Sequence, residues 1–180
     1  MKILKHFYFL LGVTFIVVAF SGAYYADQAS VNSNSFTTGE SAPGDVVMNE
    51  IMPNPDGNDD ALMPGGEWVE LYNTGNWAIN VQGWKLCSMN SRCMIITPDR
   101  LMASSIIPAG GYLVVYRSGS GDFELNDNIQ TIILMNREGM KVDKAQYSGS
   151  EQGKSWAKKP DGTGGWVAGQ TPTPGGTNGS

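Results

Sequence analysis

The sequence predicts an all-β fold, a sandwich of short antiparallel strands, and three observations carry the prediction. No long stretch places apolar residues at helical spacing. Short alternating runs rich in Val, Ile, Tyr and Trp recur instead, each closed by Gly, Pro, Asn or Asp. Glycine (23) and proline (9) are frequent among the 180 residues, as many tight turns require. With 41% hydrophobic residues the chain can build one real core and has little length left for a second.

The N-terminus reads as an export signal spanning residues 1–23. Lys2 and Lys5 make it positive, Phe7 to Phe20 form an apolar stretch of 14 residues, and Ser21, Gly22 and Ala23 supply small residues for cleavage after Ala23. An uncleaved anchor is the rival reading, because the apolar run continues through Tyr24 and Tyr25. Either way the body is expected outside the cell, secreted or at its surface. Residues 24–44 are rich in Ser, Asn, Thr and Gly and bury too little to order alone, so they read as a linker or arm. The folded domain is expected over residues 45–178.

Within that domain Val46 to Ile51 predict a first strand, ended by Pro53-Asn54-Pro55. Trp68 to Tyr72 predict a second, with Val69 and Leu71 on one face and Trp68, Glu70 and Tyr72 on the other. Ile79 and Val81, then Trp84 and Leu86, suggest a pair across Gly83. Met94 to Ile96, Ile107, and Tyr112 to Tyr116 after the Pro108–Gly111 turn follow. Ile129 to Met135 and Met140 to Tyr147 predict a hairpin around Asn136-Arg137-Glu138-Gly139. The C-terminal stretch mixes turn formers with Trp156 and Trp166. Its Thr171-Pro172-Thr173-Pro174-Gly175 segment cannot be a central strand, because each proline removes a donor. It is expected to lie along the surface while the tryptophans close one end of the core.

In order and spacing, VVMNEIMPNP, GGEWVELYNTGNWAINVQGWKL, IPAGGYLVVY, GKSWAKKPDGTGGW and TPTPGGTN resemble the lamin tail domain family, including versions carried by exported prokaryotic proteins. The resemblance covers about three quarters of the chain. It implies an immunoglobulin-like β-sandwich and a non-catalytic module for attachment or assembly. Glu50 and Glu70 lie in the NEI and WVELYN motifs that carry the resemblance, where they are expected to fix loops or backbone amides.

Chemistry is constrained mainly by what is missing. The single histidine, His6, lies in the signal, so the remaining chain offers none for a catalytic triad or a histidine metal site. Cys87 and Cys93 flank a polar turn and suit an extracellular disulfide, worth about 2 kcal/mol for so short a loop. Glu50, Glu67 and Glu70 could supply carboxylates for acid/base chemistry, but positions 67 and 70 face opposite sides of a strand. Formal net charge is −5, and losing Lys2 and Lys5 leaves 10 of the 12 basic residues against 17 acidic ones, or −7. Such a field repels a phosphate backbone, which disfavours nucleic-acid partners.

Asp56, Asn58, Asp60 and Glu67 follow positions 1, 3, 5 and 12 of a calcium loop, although Ala61 replaces its glycine and no helices flank it. Calcium is therefore the one cofactor the sequence suggests. Of the five tryptophans, Trp68 and Trp84 read as core and Trp77, in a turn, as exposed. Trp77, with Tyr24, Tyr25 and Phe36 of the arm, is a candidate contact for a partner. That partner is expected to be another exported or surface protein, a second copy of the chain, or a glycan. Membrane contact is expected only through an uncleaved N-terminal segment.

Overall fold

The computed structural model describes residues 45–88, 92–121 and 123–179. Eleven strands are found among them: β1 (Val46–Asn54), β2 (Trp68–Asn73), β3 (Ile79–Asn80), β4 (Lys85–Ser88), β5 (Cys93–Ile95), β6 (Ile106–Ile107), β7 (Tyr112–Tyr116), β8 (Ile129–Met135), β9 (Lys141–Ser148), β10 (Lys154–Lys159) and β11 (Gly165–Gln170). A five-stranded sheet in the order β11-β10-β1-β2-β7 faces a four-stranded sheet in the order β5-β4-β8-β9, and β3 and β6 form a small ribbon. All pairings are antiparallel.

The main core fills the space between the two sheets. Met48, Ile51, Val69, Leu71 and Val115 from the first sheet meet Leu86, Ile132, Leu134, Ala145 and Tyr147 from the second. Val69 and Leu71 face this core, as their alternation predicts. Their even-numbered neighbours point to the outer face of the five-stranded sheet, where Trp68 joins Met52 and Tyr116 in a second apolar cluster beneath Met63. Trp84 sits in the main core.

The turn Asn136–Gly139 joins β8 to β9, so the predicted hairpin is present. Cys87 and Cys93 lie directly opposite one another on β4 and β5 and form the expected disulfide.

Two readings require correction. The segments flanking Gly83 do not pair with each other: β3 pairs with β6, while β4 lies between β5 and β8. The C-terminal stretch is more than turns and surface chain. Residues Lys154–Lys159 form β10, which pairs with β1, and β11 extends the sheet further. Lys158 and Ala157 carry little strand propensity of their own, so the long-range pairing decides their conformation.

Candidate functional site: a carboxylate-lined face beneath the C-terminal tail

A one-residue irregularity in β1 builds this site. Met48 pairs with Leu71, but the next register pair is Glu50 with Glu70, which leaves Asn49 as an extra residue. Without that bulge Glu50 would share the parity of Met48 and enter the main core. The bulge turns it to the outer face beside Glu70. Just before the bulge, where β10 does not reach β1, the Met48 N–H donates to Asp143 Oδ2 on β9 at 2.8 Å.

Both glutamates are fully buried, because residues 171–178 cross the outer face above them. Ser155 Oγ donates to Glu50 Oε1 at 2.5 Å, and Thr173 donates its N–H (3.1 Å) and its Oγ1–H (3.1 Å) to Glu50 Oε2. Glu70 accepts Asn49 Nδ2–H on Oε1 at 3.1 Å and the Gly175 N–H on Oε2 at 2.7 Å. In the segment Thr171-Pro172-Thr173-Pro174-Gly175 the prolines have no N–H. The donors used are the N–H groups of Thr173 and Gly175, the latter carried in the turn that the Gly176 N–H closes onto the Thr173 carbonyl. They meet the two glutamates, which stand opposite each other on neighbouring strands.

Asp161, in the turn after β10, anchors the end of the tail. It accepts hydrogen bonds from Asn49 Nδ2 (3.0 Å), Tyr112 Oη (2.9 Å), Thr177 Oγ1 (2.6 Å) and the Asn178 N–H (3.1 Å). Asn178 in turn donates to the carbonyls of Asn49 and Lys158. The adjoining Gly162 has φ +70°, and a side chain there would strike the Tyr72 ring at 2.8 Å, so only glycine fits. Tyr72 itself packs on Tyr112 across the strand pair, with ring centroids 4.8 Å apart.

Burial dominates the electrostatics of this face. It raises the Glu50 carboxyl above its ordinary value and pushes Glu70 up to about 7, against the hydrogen bonds from Asn49 and Gly175. Asp161 goes the other way: its desolvation is outweighed by the donors of Thr177, Asn49, Asn178 and Tyr112, which hold it below the usual range. Every oxygen of Glu50 and Glu70 is engaged by a donor of the chain itself. The pair therefore fixes backbone amides, and it offers no open face to a substrate.

Glu67 occupies a separate buried place at the start of β2. Its Oε2 accepts Arg117 Nη1 at 3.0 Å and the Leu125 N–H at 3.0 Å. Burial still carries its carboxyl up to about 7. Glu67 and Glu70 thus serve opposite sides of the sheet, as their parity predicts.

The four residues suggested for calcium take up different environments. Glu67 is directed to Arg117 and Leu125, Asp56 lies against the backbone at Gly153, and Asn58 and Asp60 stand on the exposed loop. Among the described residues no group of three carboxylate, histidine or cysteine side chains is placed to hold a metal ion.

Trp77 is 80% exposed, on a turn fixed by Asn73, whose Nδ2 donates to the Trp77 and Ile107 carbonyls. Tyr24, Tyr25 and Phe36 lie outside the described residues.

The Glu50–Glu70 pair was visible in the sequence as two motif glutamates. Asn49, Tyr112, Ser155, Asp161, Thr173 and Asn178 were not singled out, and their only sequence signal is polar character inside or beside apolar strands.

Comparison with known families agrees with this architecture. The Lamin Tail Domain model matches residues 39–149. The chain belongs to the lamin tail domain family. Its fold is accordingly an immunoglobulin-like sandwich of a non-enzymatic family, and an interaction module is the functional class that fits. The match stops before β10, yet this lamin tail domain completes its five-stranded sheet and covers its acidic pair with residues 154–178. No curated protein matches the chain.

Proposed function

We propose that the protein is an exported interaction module that assembles outside the cell, with the arm of one copy pairing with a sheet edge of the next. Membership of a non-catalytic domain family supports the interaction role. The Cys87–Cys93 disulfide and the signal-like residues 1–23 support an oxidising, extracellular setting.

The observation that carries the assembly reading is the contrast between sheet edges. The arm enters at β1. There β2 pairs with β1 from Val46 onward, and β10 takes the other side of β1 from Glu50 to Asn54. At the edge of the same sheet, β11 (Gly-Trp-Val-Ala-Gly-Gln) carries no charge and is half-exposed or exposed along its length. The β9 edge of the other sheet carries Lys141, Asp143 and Lys144, a usual defence against unwanted pairing. An extended arm segment adding to β11 gains main-chain hydrogen bonds, and Tyr24, Tyr25 and Phe36 supply side chains to anchor it.

Light scattering on the chain from Tyr24, with and without residues 24–44, tests this reading. The longer protein is expected to gain mass with concentration and the shorter one to remain monomeric. Val167→Lys on β11 is expected to abolish the growth. Equal masses for both proteins at high concentration would overturn the reading.

A further inference from the structure

A surface groove of ≈ 280 Å³ lies between the β9–β10 turn and β11, apart from the acidic pair under the tail. Trp156 lines it. The indole is held in place on two sides: Nε1–H donates to the Gly149 carbonyl at 2.8 Å, and the ring packs against Tyr147 with centroids 6.2 Å apart. A ring fixed in this way loses little freedom when a ligand stacks on it.

Glu151 and Lys154 also line the groove. Among the described residues neither side chain has a hydrogen bond or an ion pair. Lys154 and Trp156 alternate with Ser155 along β10, so they leave the strand on one side while Ser155 turns to Glu50. Gly149 and Gly169 keep the groove open. Nothing lies within 4 Å of a side chain built at Gly149, and only Glu151 Oε2, at 3.8 Å, approaches one at Gly169. Gly169 has φ +67° in a bulged part of β11, so its lack of a side chain is required by the backbone as well.

The combination defines the ligand. An aromatic wall suits the apolar C–H face of a pyranose ring. A carboxylate and an ammonium free of internal partners suit vicinal hydroxyls, one accepting and the other donating. The two charges cancel, so the groove selects against strongly charged polymers. Its volume lies just under the range of ~300–1,000 Å³ typical of drug-sized ligands, which suits one or two sugar rings.

We propose that this groove binds neutral pyranose units of a polysaccharide, with Trp156 stacking on the ring and Glu151 and Lys154 holding its hydroxyls. The sequence drew attention to Trp77 for this role, but Trp77 stands alone on its turn and Trp156 has polar companions. Sugar binding here needs no arm, so it survives deletion of residues 24–44 even if assembly does not.

Saturation-transfer NMR on the full chain, with cellotriose and triacetylchitotriose as probes, tests the assignment. Transfer to the ring C–H protons is expected, with a Kd of about 1 mM for so small a contact. Glu151→Ala and Lys154→Ala are each expected to weaken binding about tenfold without lowering Tm, since both side chains lie at the surface. Trp156→Leu is expected to abolish transfer, and Trp77→Ala to leave it unchanged. If Trp156→Leu fails to fold, the Glu151 and Lys154 variants decide the matter. Absence of transfer from both sugars overturns the assignment. So does transfer that is unchanged in the Glu151→Ala/Lys154→Ala double variant, or lost in Trp77→Ala.

Discussion

Replacing Glu70 by Gln should change how the stability of this domain responds to pH. Glu70 is fully buried, and burial lifts its carboxyl from the ordinary 4.5 to about 7. A carboxyl raised on folding binds its proton more tightly in the folded state than in the unfolded chain. Its contribution is fully present below the unfolded value and is lost as pH rises through the folded one. The window therefore runs from about pH 4.5 to above pH 7, and the shift corresponds to about 3 kcal/mol. For a domain of this size that is about 10 °C in Tm.

The amide of the Glu70→Gln variant would be neutral at every pH in this range. Near pH 5 it would resemble the protonated glutamic acid, differing by about 1 kcal/mol for one mismatched donor among Asn49 and Gly175. Near pH 8 it escapes the burial of a charge. Urea unfolding at steps between about pH 5 and pH 8 should show the wild type losing about 3 kcal/mol more than Glu70→Gln. Glu50 and Glu67 are raised as well, so both proteins should keep a common falling background. With His6 the sole histidine, no histidine of the sandwich adds a titration in this window. Parallel pH profiles for the two proteins, or a steeper loss in the variant, would refute the claim that Glu70 is charged at a cost.

Asp161→Ala should remove four hydrogen bonds at once and cost about 2–4 kcal/mol, with faster proteolysis or hydrogen exchange confined first to residues 171–178. Arg117→Ala should cost about 3–5 kcal/mol near neutral pH by stranding the buried Glu67, and less under acid conditions that protonate it, as read by urea midpoints. Cys87→Ser/Cys93→Ser should lower stability by about 2 kcal/mol and leave the circular dichroism spectrum of the sandwich intact, because the bridge closes only a short loop between paired strands. Trp77→Ala should leave stability within about 0.5 kcal/mol, since the side chain is 80% exposed.

Much of the sandwich could be read from local pattern. β1, β2, β7 and the β8–β9 hairpin announce themselves through alternation and turn residues, and Val69 and Leu71 face the core that alternation assigns them. The disulfide followed from six-residue spacing across a polar turn. What stayed hidden depends on distant partners. β10 contains Lys154, Lys158 and Lys159 and lies between Gly153 and Pro160, so nothing local distinguishes it from a loop until β1 pairs with it. The Asn49 bulge is equally silent, because its effect is to change which face Glu50 occupies relative to Met48. Asp161 looks like an ordinary turn former in Pro160-Asp161-Gly162, yet three segments of the chain converge on its carboxylate.

The acidic pair and the proline-rich tail explain each other. A sandwich sheet normally leaves its outer face to solvent, where glutamates on β1 and β2 would be ordinary surface residues. Here a segment that cannot form a central strand covers that face, and its prolines leave it only alternate N–H groups. Apolar contacts alone would let such a chain slide. Two fixed acceptors, spaced to receive Thr173 and Gly175, give it a single register, and Asp161 pins its end through Thr177 and Asn178. The raised carboxyls of Glu50 and Glu70 are the energetic consequence of that closure. Closure of the outer face removes it from solvent, while the β11 edge and the Trp156 groove stay at the surface of this lamin tail domain.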